Sequence, residues 1–279
     1  MQEKTMLWQS IDGYQLFARH WKPEEEIKAV ICLVHGMGEH SGRYQDWAER
    51  LVAAGYAVFA IDLRGHGKSA GERGDVLSFD HFGDDLDLML EQAQNSLSKK
   101  PLFFYGHSMG GMLTLFYLAQ RRPQITGAII TSPYLHSAFD LRIMQTLMIK
   151  VMGRVVPRMG VPSRLEVQGL SRDPAVIAAY RHDPLVHERF TTGFGKSCLQ
   201  AIRYIFEHAA EINIPLLLMH GTGDRITFDS GTKKIASLLS NNCTLKIWKG
   251  LYHELHNEPE KDQVFDYLNS WLENQLANS

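Results

Sequence analysis

Apolar residues in this chain gather in short, nearly continuous runs separated by longer segments in which they recur at helical spacing. The runs are Ala29–Val34 (AVICLV), Ala57–Ile61 (AVFAI), Leu102–Tyr105 (LFFY), Gly127–Ile130 (GAII), Leu216–Met219 (LLLM) and Thr244–Trp248 (TLKIW), each bounded by Gly, Pro or charge. A strand covered on both faces has no polar side to alternate, so these runs predict central strands of a mostly parallel sheet with helices crossing between them. Trp8 to Trp21, divided by Ile11-Asp12-Gly13, predicts an antiparallel hairpin ahead of them. The loops that follow the six runs are polar or glycine-rich: HGMGEHSGRY, DLRGHGKS, GHSMGG, SPYLH, HGTGDR and GLYHELHNE. Ligands of open parallel sheets bind beyond the carboxyl ends of the strands, so these loops are expected to line one crevice.

Residues 136–212 interrupt the alternation with helical signals and no strand pattern. The expected division is therefore a core from 1–135 and 213–279 carrying an inserted helical cap at 136–212. In the cap Ile143, Met144, Leu147, Met148, Val151, Met152 and Val155 recur at three-and-four spacing, which predicts one apolar helix face. Between Leu141 and Leu165 stand Arg142, Lys150, Arg154, Arg158 and Arg164 with no acidic residue. Two accounts fit that asymmetry. Either the Met-rich face packs on the core with solvated cations outside, or the helix meets an anionic lipid surface through both features.

Composition narrows the function class. With 279 residues and 44% hydrophobic side chains the chain can build a sizeable core, which excludes disorder as the main state. A net charge of −2 supplies no global positive field, so nucleic acid is not an expected partner. Three scattered cysteines, Cys32, Cys198 and Cys243, fit neither a disulfide framework nor a zinc site and point to a reducing compartment. No secretory leader is read in the first residues and no run reaches the length of a membrane span. The expected location is the cytoplasm, with peripheral membrane contact through the cap.

The chemistry-bearing motif is Gly106-His107-Ser108-Met109-Gly110, set between the run LFFY and the helical pattern MLTLFYLAQRR. A strand, a tight turn and a helix around G-x-S-x-G push a serine hydroxyl into the crevice, with glycines relieving the crowding on either side. Serine is a weak nucleophile and needs a histidine to take its proton and an acid to hold that histidine. On this arrangement the order is Ser, acid, His, with the latter two on late loops. Asp224 in HGTGD and His253 after Trp248 satisfy it. Asp229 reads instead as a helix cap, and His256 stays open as a second candidate base. The negative charge of an acyl-transfer intermediate needs backbone donors, and the amides of Met109 and of Met37 in His35-Gly36-Met37-Gly38 are the candidates. His35 reads as a structural hydrogen-bonding residue, and neither it nor His40 has a carboxylate at metal spacing, so no metal is expected.

HGMGEHSGRY, DLRGHGKS, GHSMGG, DPL at 183–185, GTGDR at 221–225 and YHELHNE at 252–258 together resemble the monoacylglycerol lipase family of α/β-hydrolases over nearly the whole chain. The resemblance implies the α/β-hydrolase fold, a Ser108, Asp224, His253 triad and oxyanion amides from Met37 and Met109. It also implies an alcohol pocket near Glu39, Arg43, His107, Tyr180 and His256, an acyl tunnel under the cap, and a cap that meets the membrane. A lipid ester is the implied substrate and no cofactor is required. Some family members carry a cysteine just after the triad aspartate; Arg225-Ile226-Thr227-Phe228 stands here, so sensitivity to thiol reagents is not carried over. Lysophospholipase or general carboxylesterase activity would use the same catalytic elements, and amide cleavage is a weaker variant. A ligand-binding module with a silent nucleophile is the reading from another class.

Overall fold

The computed structural model describes residues 1–136, 143–239 and 242–278, with the backbone alone given over 143–146. The elements run in chain order as β1 (Gln2–Gln9), β2 (Gln15–Lys22), β3 (Ala29–Val34), α1 (Gln45–Ala53), β4 (Tyr56–Ile61), α2 (Phe79–Ser96), β5 (Leu102–His107), α3 (Met109–Arg121) and β6 (Gly127–Thr131). Next come α4 (Ile143–Val155), β7 (Gly160–Pro162), α5 (Pro174–His182), β8 (Arg189–Thr191) and α6 (Thr192–His208). The chain ends with β9 (Leu216–Gly221), α7 (Asp229–Leu238), β10 (Cys243–Trp248) and α8 (Lys261–Ala277).

Eight strands form one sheet in the order β1-β2-β4-β3-β5-β6-β9-β10. The expected hairpin supplies β1 and β2, and β2 pairs antiparallel with β4; β4, β3, β5, β6, β9 and β10 are parallel. Alternation within β3 shows how the sheet divides two cores. Val30, Cys32 and Val34 face a core shared with Phe82 of α2, Leu113 of α3 and Ile205 of α6. Ile31 and Leu33 face one shared with Leu51 of α1 and Leu268 of α8. A strand covered on both sides must be apolar at every position, which is why the sequence shows a run rather than an alternation.

Strand order reverses around β3, which has β4 on one side and β5 on the other. A crevice opens where successive crossovers leave in opposite directions, so the loops after β3 and β5 face each other across it. Those loops carry His35-Gly36-Met37-Gly38 and Ser108. The DLRGHGKS motif is a brace for the same edge. Asp62 accepts from the amides of Ser41 and Lys68, both at 2.8 Å, and Arg64 donates to buried Asp85 at 2.7 Å.

Two expectations are corrected, and of the two accounts of α4 the packed one is not met. Thr244–Trp248 is not a central strand: β10 closes the sheet edge and is half-buried, which its Lys246 already signalled. Residues 136–212 are not free of strands, because β7 and β8 pair antiparallel with three residues each, too short for any period to register. The large apolar residues of α4 also do not form its packed face. Leu147, Met148, Val151 and Val155 are 55, 59, 49 and 70% exposed. The helix instead presents Ile149, Met152 and Gly153 to α6, where a β-carbon on Gly153 would come 2.6 Å from the Thr192 carbonyl oxygen. Gly153 lets the two backbones approach, and Leu147, Met148, Val151 and Val155 are left outside. Arg142 lies outside the described residues, as do the side chains of Ile143 and Met144. Among the described residues no helix is long and apolar enough to cross a membrane.

Candidate active site

Ser108 sits between β5 and α3 with φ 54° and ψ −117°, a conformation that L side chains adopt only under local compulsion. The compulsion is steric. A β-carbon at Gly106 would come 2.5 Å from the Thr114 hydroxyl oxygen and 2.7 Å from the Gly110 carbonyl oxygen, and one at Gly110 would press on the carbonyls of Val34 and His35. Glycine at both places lets α3 start close against the sheet. The turn is held by Ser108 N–H donating to Thr131 O at 2.9 Å and by Tyr134 N–H donating to Ser108 O at 3.0 Å.

The serine hydroxyl is 2.9 Å from His253 Nε2, and His253 Nδ1 is 2.7 Å from Asp224 Oδ2. All three side chains are buried, Ser108 the least so at 9%. The Asp224 carboxylate takes amide donors from Ile226 and Thr227 on Oδ1 at 2.8 and 3.0 Å, and the Thr227 hydroxyl on Oδ2 at 2.9 Å. Burial would raise its pKa, but the charge of His253 and hydrogen bonds from His220 and His253 hold it far below the usual carboxylate range. His253 answers in the opposite sense. Burial would push its imidazolium down, yet the Asp224 charge and hydrogen bond bring it above its ordinary value, with Glu254 and Glu39 adding to the rise. The histidine loop is fixed from the 136–212 segment too, since Gly169 O and Leu170 O accept the amides of His253 and Glu254 at 3.3 and 2.8 Å.

Met109 is the first residue of α3, so its amide belongs to the helix N-terminus beside the nucleophile. Across the crevice, a β-carbon on Gly36 would lie 3.3 Å from that of Ser108, so the backbone leading to Met37 runs alongside the serine. His35 is tied into the fold: its Nδ1 meets Gly36 O at 2.8 Å and its Nε2 accepts the Leu63 amide at 2.9 Å.

The residues expected around an alcohol pocket also converge. Glu39 accepts from the Gly36 amide at 2.6 Å, from the Tyr44 hydroxyl at 2.7 Å and from Arg43. Arg43 lies under the Tyr180 ring, 4.8 Å from its centroid. His107 bonds Thr131 at 3.0 Å, and its ring lies 4.8 Å from that of His253 and 5.0 Å from that of His256. His256 stacks on Tyr44, and both of its ring nitrogens and the Tyr180 hydroxyl are buried without a protein partner. Burial pushes His256 down to about 4, against the pull of Glu254 and Glu39, and pushes His107 well below its usual range.

The open alternatives separate. His256 is hydrogen-bonded to neither Ser108 nor Asp224, whereas His253 bonds both. Asp229 is the first residue of α7 rather than its cap; it makes no side-chain cap bond and pairs with Lys233 at 2.7 Å, one turn on, favourable for a helix start. Among the described residues no group of three His, Cys, Asp or Glu side chains could hold a metal ion.

Three residues escaped the sequence reading. His220 and Thr227 flank Asp224, and Glu254 grips Arg43 with both oxygens at 2.7 and 2.9 Å. All stand inside or beside motifs read for a neighbour. Glu254 is buried beside an arginine in the same crevice, and only the fold brings positions 43 and 254 together.

A serine hydroxyl bonded to an imidazole that a buried carboxylate orients, at the switch point of this sheet, defines a serine hydrolase of the α/β-hydrolase fold. The chain belongs to the serine aminopeptidase S33 family, whose model matches residues 25–260. It is 33% identical over 269 residues to the monoacylglycerol lipase of Mycolicibacterium smegmatis, covering 95% of each chain. It is 33% identical over 271 residues to an abhydrolase domain-containing protein of Dictyostelium discoideum, of whose length it spans 29%. The crystal structure of Paleococcus ferrophilus monoacylglycerol lipase superimposes with a TM-score of 0.85 at 32% identity, covering 95% of this chain and 99% of that one. The family resemblance read from the motifs holds.

Proposed function

We propose that this chain hydrolyses monoacylglycerols to fatty acid and glycerol through an acyl-serine intermediate. The observation that carries the chemistry is the unbroken bond path from Ser108 Oγ through His253 to Asp224. The relatives named monoacylglycerol lipases support the substrate class.

In this reading Ser108 Oγ attacks the ester carbonyl while His253 Nε2 takes its proton, and Asp224 keeps the imidazole in the Nδ1–H tautomer and stabilises the imidazolium. The amides of Met37 and Met109 receive the oxyanion, each worth roughly 3–4 kcal/mol of transition-state stabilisation. His253 returns the proton to the departing glycerol oxygen. Water, deprotonated by the same nitrogen, then releases the fatty acid. No cofactor enters these steps.

The unpaired atoms of His256 and Tyr180 are the groups we assign to the glycerol hydroxyls, because buried polar atoms without partners are otherwise costly. Glu39, Arg43 and His107 complete that wall. Two carboxyl groups share one guanidinium there. The Arg43 charge holds Glu254 down near 2 despite its burial, so that side chain stays ionised. An anionic surplus disfavours a phosphate-bearing head group, which weighs against a lysophospholipase.

Residues 136–212 act as a cap over the 1–135 and 213–279 core, and the outward face of α4 with Lys150, Arg154 and Arg158 meets the lipid surface that holds the substrate. Three free thiols support a reducing compartment, the cytoplasm, with the enzyme peripheral at a membrane.

A turnover panel tests the substrate assignment: monoacylglycerols of graded chain length, di- and triacylglycerols, lysophospholipids and aminoacyl amides. Monoacylglycerols should lead in kcat/KM. A preference for aminoacyl amides or lysophospholipids would overturn the substrate class while leaving the triad standing.

A further inference from the structure

Asp224 has a second histidine on it. His220, the penultimate residue of β9, is fully buried, and its Nε2 lies 3.1 Å from Asp224 Oδ2, the same oxygen that receives His253 Nδ1 at 2.7 Å. That Nε2 also faces Thr227 O at 3.2 Å. A nitrogen between a carboxylate oxygen and a carbonyl oxygen can satisfy both only as a donor, so the proton is on Nε2. Nδ1 meets the hydroxyl of Thr232 at 2.6 Å, and Thr232 is fully buried on α7. With Nε2 donating, a Thr232 hydroxyl that donates to Nδ1 holds the ring in the Nε2–H tautomer. The order Thr232, His220, Asp224, His253, Ser108 is thus one continuous hydrogen-bonded chain running from α7 to the nucleophile.

We infer that His220, held in one tautomer by Thr232, is a positioning residue that pins Asp224 Oδ2 and moderates the charge His253 feels. It rests on the triad reading proposed above. The geometry gives two effects. The His220 N–H fixes the carboxylate in the orientation that aligns His253 with Ser108. Its dipole also points a partial positive charge at the oxygen shared with His253, which offsets part of the carboxylate's pull on the imidazolium. Other ionisable groups facing His253 are His107 at the end of β5, Glu39 and Arg43 on the loop after β3 and its following turn, and Glu254 and His256 on its own loop. Among the described residues none of them is hydrogen-bonded to Asp224, whereas His220 meets the shared oxygen directly.

His253 must be neutral to accept the serine proton, so the rate falls as the pH drops through its pKa. Without the His220 donor the imidazolium is favoured more strongly. His220→Leu is therefore expected to lose about tenfold in the rate of fluorophosphonate labelling and in kcat, the size of one hydrogen bond to a charged group. The acid limb of both profiles should move to higher pH. His220→Gln, whose amide can donate to the same oxygen, should recover most of the rate and return the limb toward its parent position. Thr232→Val should shift both readouts in the direction of the leucine variant by a smaller amount, and it keeps the test standing if His220→Leu does not fold. The inference is overturned if His220→Leu, or Thr232→Val in its place, leaves both the rate and the limb unmoved, or if His220→Gln behaves as the leucine variant does. Ser108→Ala separates the two levels: persistent labelling would remove the triad and this inference together, whereas lost labelling with unmoved His220 variants removes this inference alone.

Discussion

Two regions of this molecule break the ordinary sorting of side chains, in opposite senses. Around Ser108 the fold buries Glu39, His107, Asp224, His253, Glu254 and His256 in one crevice. On α4 a helix that could have turned Leu147, Met148, Val151 and Val155 inward leaves them in solvent. Neither choice helps the fold. A buried carboxylate or imidazole must recover its lost hydration through specific partners, and an exposed apolar face forgoes about 25 cal/mol for every Å² left uncovered. The first region meets its cost internally: Asp224 takes five donors and Glu254 a bidentate arginine. For α4 no such compensation is found among the described residues, and a lipid surface is the partner we propose for it.

If that division is right, variants in the two regions should separate cleanly: one set moves turnover of a soluble ester, the other moves binding to vesicles. The largest expected effect is in the buried cluster. Asp224→Asn keeps the shape but removes the charge and presents a donor where His253 needs an acceptor, so kcat on a soluble short-chain ester should fall on the order of 10⁴-fold. With the raising influence of Asp224 gone, burial is left to push His253 down, and the acid limb of any residual activity should move to lower pH. That is the reverse of the shift expected for His220→Leu. Vesicle co-sedimentation of Asp224→Asn should match the parent. A variant that lost both would mean that the two regions are coupled and would break the comparison.

A smaller effect tests whether charge in the buried cluster chooses the leaving alcohol. Glu254→Gln removes one of the two carboxylates on Arg43 and leaves the guanidinium a free donor. Removing one unit charge several ångströms from a bound phosphate is worth on the order of 1–2 kcal/mol at an effective dielectric near 20, roughly tenfold. The ratio of lysophospholipid to monoacylglycerol turnover should rise by that factor, and a ratio cancels any loss common to both substrates. An unchanged ratio would mean the head group does not approach Arg43.

What could be read in advance follows from how local each feature is. The central strands were legible because a strand covered on both faces must be apolar throughout, and AVICLV or LLLM leaves little else to be. Ser108 was legible because the two glycines stand at fixed offsets between an apolar run and a helical pattern, although the groups that crowd them, Thr114 and the carbonyls of Val34 and His35, are brought there by the fold. His220 and Glu254 were not, since their roles depend on a partner brought in by tertiary structure: Thr232 through α7 in one case and Arg43 across the crevice in the other. Which face of α4 packs stayed open for a related reason. Three-and-four spacing reports that a helix has an apolar face, but Gly153 against the Thr192 carbonyl decides which face approaches α6. β7 and β8 were lost because three residues cannot display a period of two convincingly.

The smallest effect resolves α4 residue by residue. Each basic side chain near an anionic surface contributes about 1 kcal/mol, so Arg154→Gln should lower the affinity for vesicles containing anionic lipid about fivefold, and added salt should shrink the difference. Arg158 is placed differently: its guanidinium lies 3.6 Å from Asp75, which already offsets part of its charge toward any outside surface. Arg158→Gln should therefore cost less than Arg154→Gln, and Asp75→Asn should strengthen binding. On neutral vesicles all three should behave like the parent, since there the apolar residues alone remain, and Met148→Gln should be the variant that still loses affinity. Equal losses for Arg154→Gln and Arg158→Gln would show that the surface meets α4 at a different angle; no loss for any of them on either vesicle would leave the exposed face of α4 without the lipid partner that we assign to it.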